Sequence, residues 1–182
     1  VIRGFESYVE YELNDWLTPF ATLRYVDGRD LTRNGDFATQ QADGGNSSER
    51  VLGLPRGAFS GVAGAASEPL PSIYPFETRL GLRVGPPCAE SPWGLELSVR
   101  LVDAQNKVAS SLLETPTPGF AVCDLRTYIR PRENLLVSIG VENLFNADYR
   151  EHLDFRMPAG SPFDISLQQP GVNFYCSTDL RY

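Results

Sequence analysis

The sequence predicts an all-β chain, an antiparallel up-and-down sheet of the kind that crosses a membrane as part of a β-barrel. Three observations carry that expectation. Apolar and polar residues alternate with period two in segment after segment, while helical periodicity is weak throughout. The connections between these segments alternate between short and long. The segments run to about 10 residues, the length of a tilted strand crossing a bilayer.

About seven strands are expected, at residues 2–14, 18–30, 76–85, 93–104, 119–130, 134–145 and 172–182. The first two are joined by the turn signal Asn14-Asp15. A long Gly-, Ala- and Ser-rich stretch from Leu31 to Pro75 then leads to the third. In that strand Leu80, Leu82 and Val84 hold one parity and Arg79, Gly81 and Arg83 the other. After the short link Pro86 to Pro92, the fourth sets Trp93, Leu95, Leu97, Val99 and Leu101 against Gly94, Glu96, Ser98 and Arg100. A medium connection from Gln105 to Pro118 precedes the fifth, which turns at Pro131-Arg132-Glu133 into the sixth. There Leu135, Val137, Ile139 and Val141 alternate with Leu136, Ser138, Gly140 and Glu142. A last long connection, Asn146 to Gly171, reaches the closing strand, where Phe174, Cys176, Thr178, Leu180 and Tyr182 oppose Tyr175, Ser177, Asp179 and Arg181.

Antiparallel neighbours place odd and even connections at opposite ends of a sheet, so the short turns share one end and the long loops the other. Transmembrane barrels have this asymmetry, with short periplasmic turns and long extracellular loops. A soluble β-sandwich alternates too. Strand length and aromatic placement tip the balance toward the membrane: Trp16, Trp93, Tyr128 and Tyr182 fall near the short-turn end, and Phe76, Phe120, Phe145 and Phe174 near the long-loop end. Two aromatic belts one bilayer apart are expected of interfacial rings.

Composition bounds the function. Sixteen Lys and Arg against 23 Asp and Glu give the 182-residue chain a net charge of −7, which argues against general affinity for nucleic acid or anionic lipid. No run of 18 apolar residues occurs, so no membrane-spanning helix is expected. Val1-Ile2-Arg3-Gly4-Phe5-Glu6 carries no signal-peptide pattern, and the chain is expected to begin inside a longer protein. Three cysteines, Cys88, Cys123 and Cys176, do not have zinc spacing, and the single histidine, His152, removes multi-His metal sites. No catalytic constellation, phosphate-cradling loop or metal cluster is visible, so no enzyme activity, cofactor or metal is expected.

The last fifty residues carry the most specific signal. Glu133 to Leu153, with Glu142-Asn143-Leu144-Phe145 and Tyr149 at its centre, resembles the penultimate strand and following loop of TonB-dependent outer-membrane receptors. Pro170-Gly171-Val172-Asn173-Phe174-Tyr175, ending at Tyr182, resembles the lead-in to that family's final strand, with Val172 where Arg is usual. Ile2-Arg3-Gly4-Phe5-Glu6 is similar to the family's I-[RK]-G-x-E strand. Leu70-Pro71-Ser72-Ile73-Tyr74-Pro75 with Leu80-Gly81-Leu82-Arg83, and Thr117-Pro118-Gly119-Phe120 with Asp124-Leu125-Arg126, are similar to two further stretches. The matches run in order along nearly the whole chain.

That resemblance implies a 22-stranded barrel filled by an N-terminal plug. Residues 1–182 would then be its C-terminal portion, with the plug and earlier strands absent. It implies residence in the bacterial outer membrane and contact with outer-membrane lipid. It also implies coupling to the TonB complex through the missing plug region, delivery by the barrel-assembly machinery through the C-terminal aromatic Tyr182, and uptake of a scarce nutrient: siderophore-bound iron, cobalamin, a metal or similar. Two other readings stay open, a small self-closing outer-membrane barrel with a structural or adhesive role, for which Phe163 to Gln168 would supply an eighth strand, and a soluble β-sandwich binding module.

Individual residues follow from placement. Gly4, Gly81, Gly94 and Gly140 lie on the polar parity, where a missing side chain lets bulky lumen groups approach the wall. Asp124 and Arg126, like Asp179 and Arg181, sit two apart on one face and so can form cross-strand ion pairs in the lumen. Cys123 and Cys176 read as small apolar residues rather than a disulfide, and Cys88 in a short turn could pair outside this stretch. Asn143 reads as a turn cap. Arg150-Glu151-His152 are candidate ligand contacts, although loop packing is the favoured reading. The stretch Leu31 to Pro75, with Arg33, Asp36, Asp43, Glu49, Arg50 and Glu68, has the composition of an extracellular lid. Asn46-Ser47-Ser48 matches a glycosylation pattern too short to weigh.

Overall fold

The computed structural model describes residues 1–30, 68–86, 91–109, 114–154 and 167–181. Expectations for Asn46-Ser47-Ser48, for the charged residues from Arg33 to Arg50, for Cys88 and for Tyr182 lie outside them. Of the extra strand considered at Phe163 to Gln168, Leu167 and Gln168 are described, and neither is in a strand.

Eight strands form: β1 (Ile2–Glu10), β2 (Leu17–Asp30), β3 (Glu68–Pro69), β4 (Glu77–Val84), β5 (Trp93–Val102), β6 (Phe120–Arg132), β7 (Leu135–Glu142) and β8 (Asn173–Leu180). Seven lie side by side in the order β1-β2-β4-β5-β6-β7-β8, every pair antiparallel, and β3 pairs with the end of β2 beside this path. The seven expected strands are these. The two-residue β3 has no sequence signal, being too short to alternate and containing Pro69.

Local chemistry closes the short turns. Between β1 and β2 the Trp16 backbone N–H donates to Asn14 Oδ1 at 2.9 Å, and Leu13 N–H donates to Leu17 O at 3.0 Å. An Asn at this position mimics a backbone turn with its own side chain. Between β6 and β7 the register shifts across Ile129 and Arg132, beside Pro131, which has no N–H to give to the ladder.

Register fixes the two faces. Leu82 stands opposite Leu97 and Leu80 opposite Val99 across β4 and β5. Leu97 in turn stands opposite Leu125 across β5 and β6, and Leu125 opposite Val141 across β6 and β7. These rows form the outer face, on which Leu80, Leu82, Leu95, Leu97, Leu101, Ile129 and Ile139 are all exposed. The other face carries Gly81 opposite Ser98, Arg83 opposite Glu96, and Ser98 opposite Asp124. There Ser98 is almost fully buried, at 2% exposure, and Asp124 is buried too. Exposed leucines and buried polar groups invert the order of a soluble sheet and suit a wall between lipid and a polar lumen.

Aromatics hold both ends of the outer face, with two corrections. Trp16 and Trp93 meet at 6.1 Å at the short-turn end, while Phe5, Tyr25 and Phe76 run as a ladder, 5.9 and 6.5 Å between centroids, at the long-loop end. Tyr128 and Phe120, expected in these belts, belong to the inner face. Tyr128 stands opposite Gly94, and Phe120 stacks on Tyr149 at 4.4 Å. Both sit at even positions of β6, whose odd positions Cys123, Leu125 and Ile129 form the outer row. Distance from a turn sets height along the wall, and parity alone sets the face.

Candidate functional site: the inner wall and the loop layer

Charged side chains of the inner face pair across strands rather than along them. Arg83 Nε donates to Glu96 Oε2 at 2.9 Å, and its Nη1 donates to Glu10 Oε2 and to the Tyr8 hydroxyl, each at 3.2 Å. Tyr8 also hydrogen-bonds Glu10. Arg100 donates to Glu77 Oε2 at 2.9 Å and to both carboxylate oxygens of Glu151. Asp124 lies 3.8 Å from Arg79, reaching over Ser98. The cross-strand ion pair expected of Asp124 is thus made with Arg79, two strands away. Half-solvated pairs of this kind contribute about 0 to 1 kcal/mol each. Their role is to set the polarity of the lumen surface.

Three glycines on this face are covered by rings from the neighbouring strand. A Cβ at Gly81 would lie 2.2 Å from the Phe20 ring, at Gly94 2.4 Å from Tyr128, and at Gly140 2.2 Å from Tyr175. Arg83 in turn stacks on Phe20, 4.4 Å from the centroid. The rings lie flat along the wall because those glycines leave room, which keeps aromatic bulk out of the lumen. Gly4 is different: a Cβ there would meet the backbone oxygen of Tyr25 at 2.7 Å.

At the long-loop end the connections fold into a layer over the inner edge of β4 to β6. Glu114 gathers it. Its Oε1 accepts from the Ser72 backbone N–H at 2.8 Å and its Oε2 from Ala109 N–H at 2.7 Å. His152 Nε2 lies 3.2 Å from Glu114 Oε1, and His152 Nδ1 3.0 Å from Thr117 Oγ1. Gln105 Nε2 donates to Ile73 O at 2.7 Å, and Arg150 Nη2 to Pro116 O at 3.0 Å. Three connections are thus joined at one buried carboxylate and one buried imidazole. The order Thr117, His152, Glu114 imitates a hydrolytic triad, but Thr117 and His152 are both buried and no substrate reaches the hydroxyl. Among the described residues no three metal-ligating side chains come together.

The strongest sequence signal maps onto a clasp between β7 and β8. Asn143, buried with φ of 53°, uses its side-chain amide to donate to Ala147 O at 2.8 Å and Pro170 O at 3.3 Å, and to accept from Ala147 N–H at 2.7 Å. Its own backbone N–H donates to Asp124 Oδ1 at 3.0 Å. Asn146, also left-handed, presents Oδ1 to Val172 N–H, and a Cβ at Gly171 would approach that oxygen to 2.5 Å. Asn tolerates this backbone region and Gly171 leaves the space. Leu144 N–H donates to Cys123 O at 2.7 Å, and Asn173 Nδ2 donates to Glu142 Oε2 at 3.2 Å. Phe145 and Phe174 project outward, 77% and 74% exposed.

Other predicted residues fall as follows. Glu6 faces Arg24 across β1 and β2 on the inner side. Arg150, Glu151 and His152 spend their polar groups on Pro116, Arg100, Glu114 and Thr117, all within the protein. Cys123 and Cys176 are free thiols, one buried and one exposed. Glu114 and Arg100 carry no distinctive sequence signal. Glu114 stands in a connection between Leu112-Leu113 and Thr115-Pro116, a setting shared by many surface glutamates. In the layer, the Asp27 carboxylate beside Lys107 raises the Lys107 pKa, and burial against Phe120 raises that of Tyr149.

No family model matches the chain, and no curated protein matches it. Solved structures do. The copper transporter OprC matches with a TM-score of 0.68 and 27% identity, over 98% of this chain and 23% of that one. A mutant of the ferric enterobactin receptor PfeA from Pseudomonas aeruginosa matches with a TM-score of 0.56 and 17% identity, over 98% of this chain and 22% of that one. The chain thus spans less than a quarter of either. The resemblance read from the motifs is borne out, since these neighbours are TonB-dependent receptors of the bacterial outer membrane, transporters and receptors rather than enzymes.

Proposed function

We propose that the chain is the C-terminal portion of the barrel of a TonB-dependent receptor that imports a scarce nutrient across the outer membrane. The observation that carries this reading is the inverted sheet, with leucines exposed outward and charged pairs lining the inside, capped at the long-loop end by an ordered layer. A wall of this kind separates lipid from a passage. The likeness to OprC over nearly the full chain supports a transport role. The names of the two neighbours, one for copper and one for a ferric siderophore, support a metal or metal chelate as cargo, with cobalamin in the same range of scarce nutrients.

In this reading residues 1–182 supply wall, loop layer and assembly signal. The nutrient would meet the loop layer first. An N-terminal plug would receive the pull of the TonB complex, and Tyr182 would present the final strand to the barrel-assembly machinery. Uptake of radiolabelled copper and of ferric siderophores by cells expressing the full-length protein tests this. Accumulation that disappears when TonB is deleted is expected; accumulation unaffected by that deletion would refute it.

A further inference from the structure

The outward positions of β1 are uncharged from Phe5 to Val9, and those of β2 from Leu17 to Tyr25. Charge then arrives all at once at the long-loop end. Asp27, the next outward position of β2, stands opposite Arg3 of β1, and such register partners hold their Cβ atoms about 5 Å apart. Arg29 follows on the same parity, its Nε 3.8 Å from Asp27 Oδ2, and Lys107 reaches in from the connection after β5, its Nζ 3.2 Å from Asp27 Oδ1. Three cations therefore surround one carboxylate, in a chain whose net charge is −7. Other carboxylates at this end are placed elsewhere: Asp30 and its register partner Glu68 hold the opposite parity, and Asp103 at the end of β5 turns its Oδ1 to the Ala104 N–H. Arg3 is exposed and makes no ion pair among the described residues.

We propose that Arg3, Arg29 and Lys107 form a docking site for a phosphate group of the glycolipid that makes up the outer leaflet of the bacterial outer membrane. Depth supports it. The cations lie two residues, or about 7 Å, beyond the Phe5 and Tyr25 rings, and interfacial aromatics mark the edge of the headgroup layer. Leucine rows, then rings, then cations follow the order of acyl chain, ester and phosphate in such a lipid. A guanidinium meets phosphate through two parallel N–H···O bonds and an ammonium as a point charge, so the two residue types suit one anion. The position at the long-loop end selects the outer leaflet, whose glycolipid carries its phosphates on sugar. The site goes beyond the transport reading and is independent of the nutrient carried.

The test uses the full-length protein folded in mild detergent, with fluorescent lipopolysaccharide as probe and heat-modifiable mobility as the check on folding. One cation beside an anionic lipid surface is worth about fivefold in affinity, so R3Q should bind about fivefold more weakly than the parent and R3Q/R29Q/K107Q on the order of 100-fold. R3K, which keeps the charge, should fall between R3Q and the parent. Because Arg3 has no ion pair to lose, R3Q decides the matter even where the triple variant fails to fold. R3Q binding as tightly as the parent, or a probe stripped of its phosphates binding as tightly as the intact one, would overturn the site. Full competition by phosphatidylglycerol at equal charge would show general attraction for anionic lipid and overturn the assignment to the glycolipid. Native mass spectra in which R3Q loses a bound protein rather than the glycolipid would overturn it too.

Discussion

Replacing Gly81 by Ala tests how the inner wall is packed. The added Cβ would lie 2.2, 2.3 and 3.0 Å from three atoms of the Phe20 ring, where carbon contacts normally sit at about 3.5 to 4.0 Å. The ring must therefore retreat by roughly 1 Å or more. It is poorly placed to do so, being 6% exposed and held under the Arg83 guanidinium. Overpacking of this kind costs about 1 to 3 kcal/mol. Displacing the stacked cation adds about 0.5 to 1 kcal/mol, which Ala's lower chain entropy than Gly offsets by about the same amount. A net loss of about 1 to 3 kcal/mol is expected, read by guanidinium unfolding of the detergent-solubilised protein followed through Trp16 and Trp93. Phe20→Ala alone should cost about 3 to 5 kcal/mol. In the double variant the new methyl enters the vacated space, so the two losses should fall short of their sum by about 1 to 3 kcal/mol. Strict additivity, or a G81A protein as stable as its parent, would refute the ring-over-glycine account.

Other consequences are as concrete. Asn143→Ala removes three side-chain hydrogen bonds and leaves a non-Gly residue at φ of 53°, so a loss of about 2 to 4 kcal/mol is expected, with faster proteolysis between Asn146 and Gly171; unchanged proteolysis would count against the clasp. Burial raises the Tyr149 pKa above its unfolded value near 10, so the folded state holds that proton more tightly and the associated stability is lost as pH rises from about 10 through the raised value. Tyr149→Phe should remove that alkaline component from the stability profile; an unchanged slope would place the titration elsewhere. Replacing Tyr182 by Ser should lower the yield of heat-modifiable barrel in the outer membrane of cells making the full-length protein, and an unchanged yield would remove its role as assembly signal.

Period two and loop asymmetry make the seven long strands legible because both are consequences of crossing a slab with antiparallel chain. Parity also separates Leu80 and Leu82 from Gly81 and Arg83 correctly. The reading fails where distance along the chain stands in for parity, as with Phe120 and Tyr128. Which arginine meets which carboxylate is not legible either. Arg79 reaches Asp124 over an intervening strand, and that choice depends on register and on Ser98 being small. The Asn143-Leu144-Phe145 segment stands out in sequence, yet its physical reason, two left-handed asparagines clasping Ala147, Pro170 and Val172, needs the chain to fold back. Glu114 has no signal, since its partners at Ser72, Ala109 and His152 come from three connections.

The central claim is that one parity of these strands meets lipid and the other a polar lumen. Nitroxide scanning along β4 and β5 tests it most directly, in a full-length protein whose own Cys88, Cys123 and Cys176 have been replaced by Ala. Single cysteines at positions 79 to 84 and 94 to 101 would be spin-labelled in bilayers, with collision rates measured for oxygen and for a water-soluble nickel chelate. Oxygen access should peak at Leu80, Leu82, Leu95, Leu97 and Val99, with period two and in opposite phase to any nickel access. Period-two nickel access at those leucines, or no alternation at all, would contradict the account.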